Sequence, residues 1–232
     1  MINENLRQNT VTRLKVYSFL AEIFLQEPSP TRWPEQRQAL AELLKEQGEN
    51  QGLSESPGNI IPEDLTTTVA KLRQEFYDCF FVPMSKSYVP PFESALQNFV
   101  PGKRKPFGPL NSSEGNHVAK CYGAVGFNPW ELNLFAPLRE IRLPDHIGFE
   151  LAFMARLCFS ENEAWKSGQL EKVRQWQNLE KQFLNDHLQQ FLTYFALAME
   201  EKAPGFYARA ARAAQQWVVS DYQDLAEGVL IA

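Results

Sequence analysis

GQLEKVRQWQNLEKQFLNDHLQQFLTYFALAMEEK, residues 168–202, is the stretch that decides the fold class. Its large apolar side chains recur at steps of three and four residues, the spacing of one face of an α-helix. These side chains are Leu170, Val173, Trp176, Phe183, Leu184, Leu188, Phe191 and Phe195. Because the stretch is longer than most globular helices, we predict a break near Asn185 and Asp186, two residue types that cap helices well.

The same periodicity extends over most of the chain. Predicted helices begin at or near Val11, Thr31, Pro62, Phe92, Asn111, Pro144 and Phe206, and the last one is expected to cover 206–219. The polar segment 48–59 is predicted to be a loop. No alternating strand pattern longer than four residues interrupts the helical spacing. The sequence therefore predicts an all-α helical bundle, with no sheet larger than a stray bridge.

A proline-rich stretch divides the predicted helices into two groups. It runs from residue 83 to 110 and includes Pro83, Pro90, Pro91, Pro101, Pro106 and Pro109. We predict one all-helical domain over 1–232, in which this stretch is a hinge between helices in 1–82 and helices in 111–232. A hinge of this kind permits exchange of elements between copies at low cost, so a monomer and a domain-swapped dimer are both open.

Composition excludes several classes of protein. The net charge of -5 and the pI near 5.4 argue against a nucleic-acid binder, which needs a basic surface. Cys79, Cys121 and Cys158 form no CxxC pair, which predicts reduced, mostly buried thiols and neither a disulfide framework nor a zinc site. The opening residues MINENLRQNT lack an apolar core, and no run of eighteen apolar residues exists. We therefore expect a cytoplasmic protein without membrane insertion.

Common catalytic and cofactor motifs are missing. The sequence has no GxxxxGK[ST], no GxGxxG after a strand and no HExxH. The three histidines, His117, His146 and His187, include no pair spaced three or four residues apart, so a helical metal clamp of histidines is not expected. We predict that the chain is not an enzyme, and the sequence motifs assign it no metal and no cofactor.

Two segments are unusual for a plain helical bundle. The first is Tyr88-Val89-Pro90-Pro91-Phe92-Glu93-Ser94, in which aromatic and apolar residues lie on a loop stiffened by prolines. Such a loop loses little backbone entropy on binding a ligand. A packed connection between the two groups of helices explains the same residues, and both interpretations stay open.

The second segment is Leu143-Pro144-Asp145-His146-Ile147-Gly148-Phe149-Glu150-Leu151. Asp145 and His146 place an acceptor and a switchable donor at a predicted helix start. One interpretation makes Asp145 the N-cap and pairs His146 with Glu150 one turn later. A catalytic dyad is another interpretation, although neighbouring helical residues point about 100° apart.

Taken in order, these segments resemble the TorD/DmsD family of redox enzyme maturation chaperones, to which the NarJ group is related. The resemblance covers nearly the full chain. It rests on Phe76-Tyr77-Asp78-Cys79-Phe80-Phe81 before Pro90-Pro91-Phe92-Glu93-Ser94, on Asp145-His146-Ile147-Gly148-Phe149-Glu150-Leu151-Ala152-Phe153-Met154, and on Phe183-Leu184 with His187-Leu188. The chain has Arg142 three residues before the aspartate, where the family usually has Glu.

The resemblance implies a helical chaperone that binds the twin-arginine signal peptide and the apo form of a molybdenum-cofactor oxidoreductase until the cofactor is inserted. The peptide-binding residues implied or proposed on this basis are Tyr88, Pro90, Pro91, Phe92, Glu93, Ser94, Asp145, His146 and Phe149. We expect them to line one exposed groove, with acids for the arginines and aromatic side chains for the apolar run. A small helical enzyme or nucleotide-binding protein that uses Asp145 and His146, and an interaction adaptor without a signal-peptide client, are the alternatives.

Overall fold

The computed structural model describes residues 2–48, 62–97, 99–103, 105–110 and 112–228. Its α-helices are α1 (Ile2–Leu25), α2 (Trp33–Glu46), α3 (Pro62–Phe80), α4 (Glu93–Leu96), α5 (Ser113–Ala124), α6 (Ala136–Glu140), α7 (Ile147–Lys166), α8 (Leu170–Phe183), α9 (Gln189–Lys202) and α10 (Phe206–Ala226). A 3-10 turn covers Pro129–Glu131, and a π-turn covers Leu184–Leu188. The predicted all-α class is confirmed, since the described residues contain a single isolated β-bridge and no strand.

The centre of the bundle is the pairing of α1 with α7, against which α8 packs, while α9 packs on α10. Aromatic contacts join helices from both sides of the proline-rich stretch. The Phe24 ring lies 5.5 Å from the Phe195 ring, and the Phe76 ring lies 5.7 Å from the Tyr207 ring. One buried apolar cluster therefore includes residues before and after 83–110.

The α-helix is interrupted at the predicted position near Asn185 and Asp186, but by a π-turn and not by a capped helix end. The chain continues from α8 into α9 through the π-turn, where the Gln189 N–H donates to the Leu184 carbonyl five residues back. A π-turn accommodates one extra residue without ending the helix. Leu184 and Leu188 thereby both stay buried, and this long-range packing outweighs the local capping preference of the asparagine and the aspartate.

Other predicted boundaries differ by a few residues. The helix expected from Pro144 begins at Ile147, and the helix expected to end at residue 219 continues to Ala226. Most of the predicted loop 48–59 and the predicted cap Asn111 lie outside the described residues. Within the described part of the chain, all three cysteines are free; Cys79 and Cys158 are buried, and Cys121 is half-buried.

A close approach between α1 and α7 requires the glycine at position 148. A Cβ atom added to Gly148 would lie 2.5 Å from the Leu25 Cγ atom and 2.6 Å from its Cδ2 atom. Leu25 is the last residue of α1 and is buried. The glycine of the Asp-His-Ile-Gly sequence thus lets the start of α7 pack directly on the end of α1.

A buried ion network holds four helices together. The Arg13 guanidinium on α1 pairs with Glu161 of α7 at 3.0 Å, Glu180 of α8 at 2.6 Å and Asp221 of α10 at 2.5 Å. The Tyr17 hydroxyl also donates to Asp221, at 2.6 Å. Burial raises the pKa of Glu180 well above its ordinary value, against the opposing effect of the nearby guanidinium. A single arginine therefore compensates a cluster of acids inside the bundle.

Among the described helices, none combines the length and the apolar character that crossing a membrane requires.

Candidate functional site

The two segments singled out in the sequence are hydrogen-bonded to each other. The Glu93 N–H donates to the Asp145 carbonyl at 2.9 Å, and the Ile147 N–H donates to the Pro91 carbonyl at 2.9 Å. These bonds form the isolated antiparallel bridge between Phe92 and His146. The structure thus brings Asp145 and His146 next to residues 91–93, as the expected shared groove requires. We call residues 90–94 and 145–149 together the joint.

The Asp145 carboxylate stabilises the start of α4 from across the joint. Its Oδ2 atom accepts from the Ser94 N–H at 2.9 Å and from the Ser94 hydroxyl at 2.6 Å. Its Oδ1 atom faces the helical backbone at Gly115 and has no hydrogen-bond partner among the described residues. The interpretation that Asp145 caps its own helix is therefore wrong.

His146 is the actual N-cap of α7. Its Nδ1 atom accepts a hydrogen bond from the Gly148 N–H at 3.1 Å, which in a neutral imidazole leaves the proton on Nε2. Burial lowers the pKa of His146 to about 3, so the ring is neutral at physiological pH. The ring also packs edge-on against Phe92. The expected pair with Glu150 is not formed, and Asp145 and His146 engage different partners, so no catalytic relay joins them.

Glu93 begins a chain of hydrogen bonds that leads toward the surface. Its Oε2 atom lies 2.9 Å from Nδ1 of His187, and both side chains are buried. The Nε2 atom of His187 lies 2.8 Å from Nδ1 of His117, which is exposed on α5. Burial opposes the charged form of His187, but Cys121 and Glu93 outweigh it and raise the pKa of His187 to about 9.

Glu150 is a buried carboxyl group with no hydrogen-bond partner among the described residues. It has no exposed surface, and it lies close to Glu93 and Asp145. Burial, followed by the negative charges of these two neighbours, raises the pKa of Glu150 well above its ordinary value. Burial beside these two carboxylates therefore favours the protonated form of Glu150.

The expectation that the predicted residues line an exposed groove is wrong for this structure. Of the nine residues, Pro90, Pro91, Phe92, Glu93, Ser94, Asp145, His146 and Phe149 are buried, and Tyr88 is half-buried. The structure thus agrees with the interpretation of the loop as a packed connection between the helical groups. Local sequence does not separate the two cases, because a docking surface and a buried junction both require apolar residues on a rigid backbone.

Arg142 has a contact of its own near the joint. Its guanidinium lies 5.4 Å from the centroid of the Trp130 ring, within the range of a cation–π interaction. Trp130 in turn packs edge-on against Phe149, at 5.0 Å between centroids. Arg142 therefore stacks on Trp130, and Trp130 packs against Phe149 near the start of α7.

Sequence reasoning missed the convergence of His117, Cys121, Glu93 and Glu150 around His187. The available signal was the four-residue spacing of His117 and Cys121 on a predicted helix, which a search for histidine pairs alone does not find. His187 reaches the cluster from the π-turn, some seventy residues along the chain. No local pattern predicts that approach.

An open cleft lies beside the loop that leads into the joint. It has a volume of about 330 Å³, and its lining includes Glu75, Asp78 and Ser87. Burial raises the pKa of Glu75, whose carboxylate accepts from the Tyr207 N–H at the start of α10. Asp78 is half-buried, so this cleft offers a carboxylate that solvent reaches without any rearrangement.

Comparison with known proteins identifies the family. The family model described as nitrate reductase delta subunit matches residues 26–197. The chain belongs to this family, the TorD/DmsD and NarJ group of redox enzyme maturation chaperones. The chaperone protein TorD of Vibrio cholerae serotype O1 is similar, with 32% identity over 121 residues, which are 52% of this chain and 50% of that protein. The chain thus spans about half the length of that curated relative.

Proposed function

We propose that the chain is a chaperone that binds the twin-arginine signal peptide and the apo form of a molybdenum-cofactor oxidoreductase, assists cofactor insertion and delays export. Membership of the maturation chaperone family supports this proposal. The observation that supports the choice of site is the joint itself, where two segments that carry the family resemblance are hydrogen-bonded to each other. We therefore place the peptide-binding site where the two segments meet, with residues from both segments contributing to it.

The chemistry of the joint suits such a peptide. A twin-arginine signal offers two guanidinium groups and an apolar run. Glu93 and Asp145 supply carboxylates that accept the guanidinium fork. Phe92, Phe149 and the half-buried Tyr88 supply aromatic surface for the apolar run. The nine predicted residues accordingly remain the proposed peptide-binding set.

Access to these acids requires the joint to open, because both carboxylates already have internal partners. Asp145 holds Ser94, and Glu93 holds His187. In the proposed complex the two guanidinium groups replace the serine and the histidine as partners of the carboxylates. A guanidinium offers the Asp145 carboxylate a charged, bidentate partner in place of the uncharged Ser94 donors, which favours the peptide. The proline-rich stretch 83–110 is the proposed hinge for this movement.

Identification of the client is the first test. The purified chain serves as bait in a pull-down from lysates of anaerobically grown cells. The captured proteins are identified by mass spectrometry. The proposal predicts a molybdenum-cofactor oxidoreductase whose precursor begins with a twin-arginine signal. Reproducible capture of partners that lack both features would contradict it and would favour the adaptor without a signal-peptide client.

Hydrogen exchange tests where the peptide binds. The amides of Glu93 and Ile147 donate across the joint, so both should exchange faster in the presence of a saturating signal peptide. A peptide with both arginines replaced by glutamine is the matched control and should leave the two amides protected. If the signal peptide binds while both amides stay protected, the joint is not the binding site. Protection that appears instead around Asp78 would assign the peptide to the open cleft.

Location and assembly complete the proposal. A chaperone that acts before export works in the cytoplasm, where reduced thiols such as Cys79 and Cys158 persist. A monomer and a dimer that exchanges helices across 83–110 are both compatible with the hinge. Light scattering of the purified chain, with and without the signal peptide, distinguishes these two states by mass.

A further inference from the structure

Three side chains with metal-binding atoms converge at the edge of the joint. His117 and Cys121 lie one turn apart on α5, so they project from the same face of that helix. His187 reaches them from the π-turn, with its Nε2 atom 2.8 Å from Nδ1 of His117. One ligand atom from each of the three residues lies within 4.8 Å of the other two.

We propose that His117, Cys121 and His187 form a binding site for a divalent transition metal of the Zn²⁺ class. Zinc accepts imidazole nitrogen at about 2.0–2.1 Å and thiolate sulfur at about 2.3 Å, usually in a tetrahedral set. Ligand atoms in such a set lie roughly 3.3–3.7 Å apart, so the two imidazoles must separate by about half an ångström. His117 is exposed and is free to make that adjustment. Three protein ligands leave a fourth position for water or another ligand.

The outer contacts of the site also fit a metal ligand. A metal-bound histidine almost always donates its other N–H to a carboxylate or a carbonyl, which fixes the ring and its tautomer. His187 meets this condition, since its Nδ1 atom lies 2.9 Å from the Glu93 carboxylate. Nε2 is then directed at His117 and Cys121. The histidine and the glutamate are both buried, so the ring is held in place before any ion binds.

A cavity provides access for the ion. It has a volume of about 100 Å³, and its lining includes His117, Cys121, His187, Phe153 and Phe183. The mixture of open polar edge and aromatic wall is typical of sites in which an apolar shell limits the access of water to the metal. The ion enters past His117 and Cys121, which are exposed and half-buried respectively.

A second trio in the same region competes for His187. Glu93, Glu150 and His187 also bring one ligand atom each within 4.8 Å of one another. All three are buried, and the raised pKa of Glu150 opposes its ionisation, which a carboxylate ligand requires. A borderline metal prefers the imidazole and thiolate set over this oxygen-rich one. The two sites are distinguished by whether Cys121 or Glu150 is needed for binding.

The test is a titration of the full chain, purified without a histidine tag and freed of metal, with Co²⁺ and then with Zn²⁺. We expect one equivalent of Co²⁺ to give a thiolate-to-cobalt charge-transfer band, which one equivalent of Zn²⁺ then removes. Cys121→Ser should abolish the band, and Cys121→Ser and His117→Gln should each weaken Zn²⁺ binding by at least about tenfold. Glu150→Gln is the matched control and should leave both readouts unchanged.

Two results would overturn the assignment. One is unchanged metal binding in both Cys121→Ser and His117→Gln, which would show that any binding is adventitious or lies elsewhere. The other is loss of binding in Glu150→Gln with retention in Cys121→Ser, which would move the ion to the buried trio. His117 is exposed, so its variant remains informative even if the cysteine variant folds poorly. The titration needs no client, and its outcome is independent of the proposed signal-peptide binding.

Discussion

The Asp145 carboxylate accepts two hydrogen bonds from Ser94, one from the backbone N–H at 2.9 Å and one from the hydroxyl at 2.6 Å. Ser94 lies in the second position of the short helix α4, and Asp145 lies just before α7. A residue from the C-terminal group of helices thus holds the start of a helix in the proline-rich connection. Both residues are buried, so the contact closes the joint.

Breaking this contact should destabilise the fold. Ser94→Ala removes the hydroxyl donor and leaves the buried Asp145 with one bond fewer, which costs about 1–3 kcal/mol of the free energy of unfolding. Asp145→Asn should cost a similar amount, because the amide accepts less strongly than the carboxylate. Urea denaturation of both single variants and the double variant is the measurement. Additive losses would show that the two side chains are not coupled.

His146 should make stability fall in acid. Its pKa in the folded chain is about 3, below the value of about 6.5 in an unfolded chain. The contribution of the neutral His146 ring to the free energy of unfolding is therefore fully present above pH 6.5 and is lost as the pH falls toward 3. Between pH 6.5 and 4.5 the loss from this one group is about 2 kcal/mol.

The variant His146→Asn isolates this contribution, since asparagine is a good N-cap that does not titrate. The variant loses ring packing against Phe92, so its stability at pH 7 will be lower than that of the wild type. The diagnostic quantity is the slope of stability between pH 6.5 and 4.5, measured by denaturation at several pH values. Equal slopes in the two proteins would contradict the assignment of a buried, neutral imidazole.

Gly148→Ala should destabilise the chain through a steric clash. The new methyl group would lie 2.5 Å from Leu25, which is packed at the end of α1. Overpacking of this kind costs about 1–3 kcal/mol. Gly123→Ala on α5 is the matched control, because nothing lies within 4 Å of its Cβ position, and it should be neutral or stabilising by up to about 1 kcal/mol. Thermal unfolding of both variants tests the contrast, and equal behaviour would argue against the close approach of the two helices.

Arg13→Met should be among the most damaging single changes to the core. It leaves Glu161, Glu180 and Asp221 without their common cation, and breaking a buried ion pair from one side costs about 3–5 kcal/mol. The matched control is Lys166→Met, which removes the partner of Glu163 at an exposed pair and should cost at most about 1 kcal/mol. The free energies of unfolding of the two variants are measured by denaturant unfolding and compared with that of the wild type. A small loss in Arg13→Met would mean that the acids accept protons readily and need no cation.

Much of the fold follows from local sequence, whereas the joint does not. Apolar spacing over 168–202 and the prolines at 28, 62 and 204 place most helix boundaries within a few residues. The predicted start of α7 differs from the observed one because the Asp145 side chain, a good local cap, accepts hydrogen bonds from the distant Ser94. The N-cap of α7 is His146 instead. The family pattern indicated which segments matter, but their burial depends on contacts between residues about fifty positions apart, and no local periodicity encodes such contacts.

The central claim is that the joint accepts a twin-arginine peptide, and calorimetry with a synthetic signal peptide from the captured oxidoreductase tests it most directly. We predict measurable binding to the wild type and a loss of about ten- to a hundredfold in affinity for Asp145→Asn, since a charge-assisted bond contributes about 1.5–3 kcal/mol. Asp78→Asn, in the open cleft, is the control and should bind as the wild type does. Circular dichroism must show that each variant is folded at the temperature of the titration. Unchanged affinity in a folded Asp145→Asn would contradict the role of this carboxylate, and no heat with the wild type would contradict signal-peptide binding altogether.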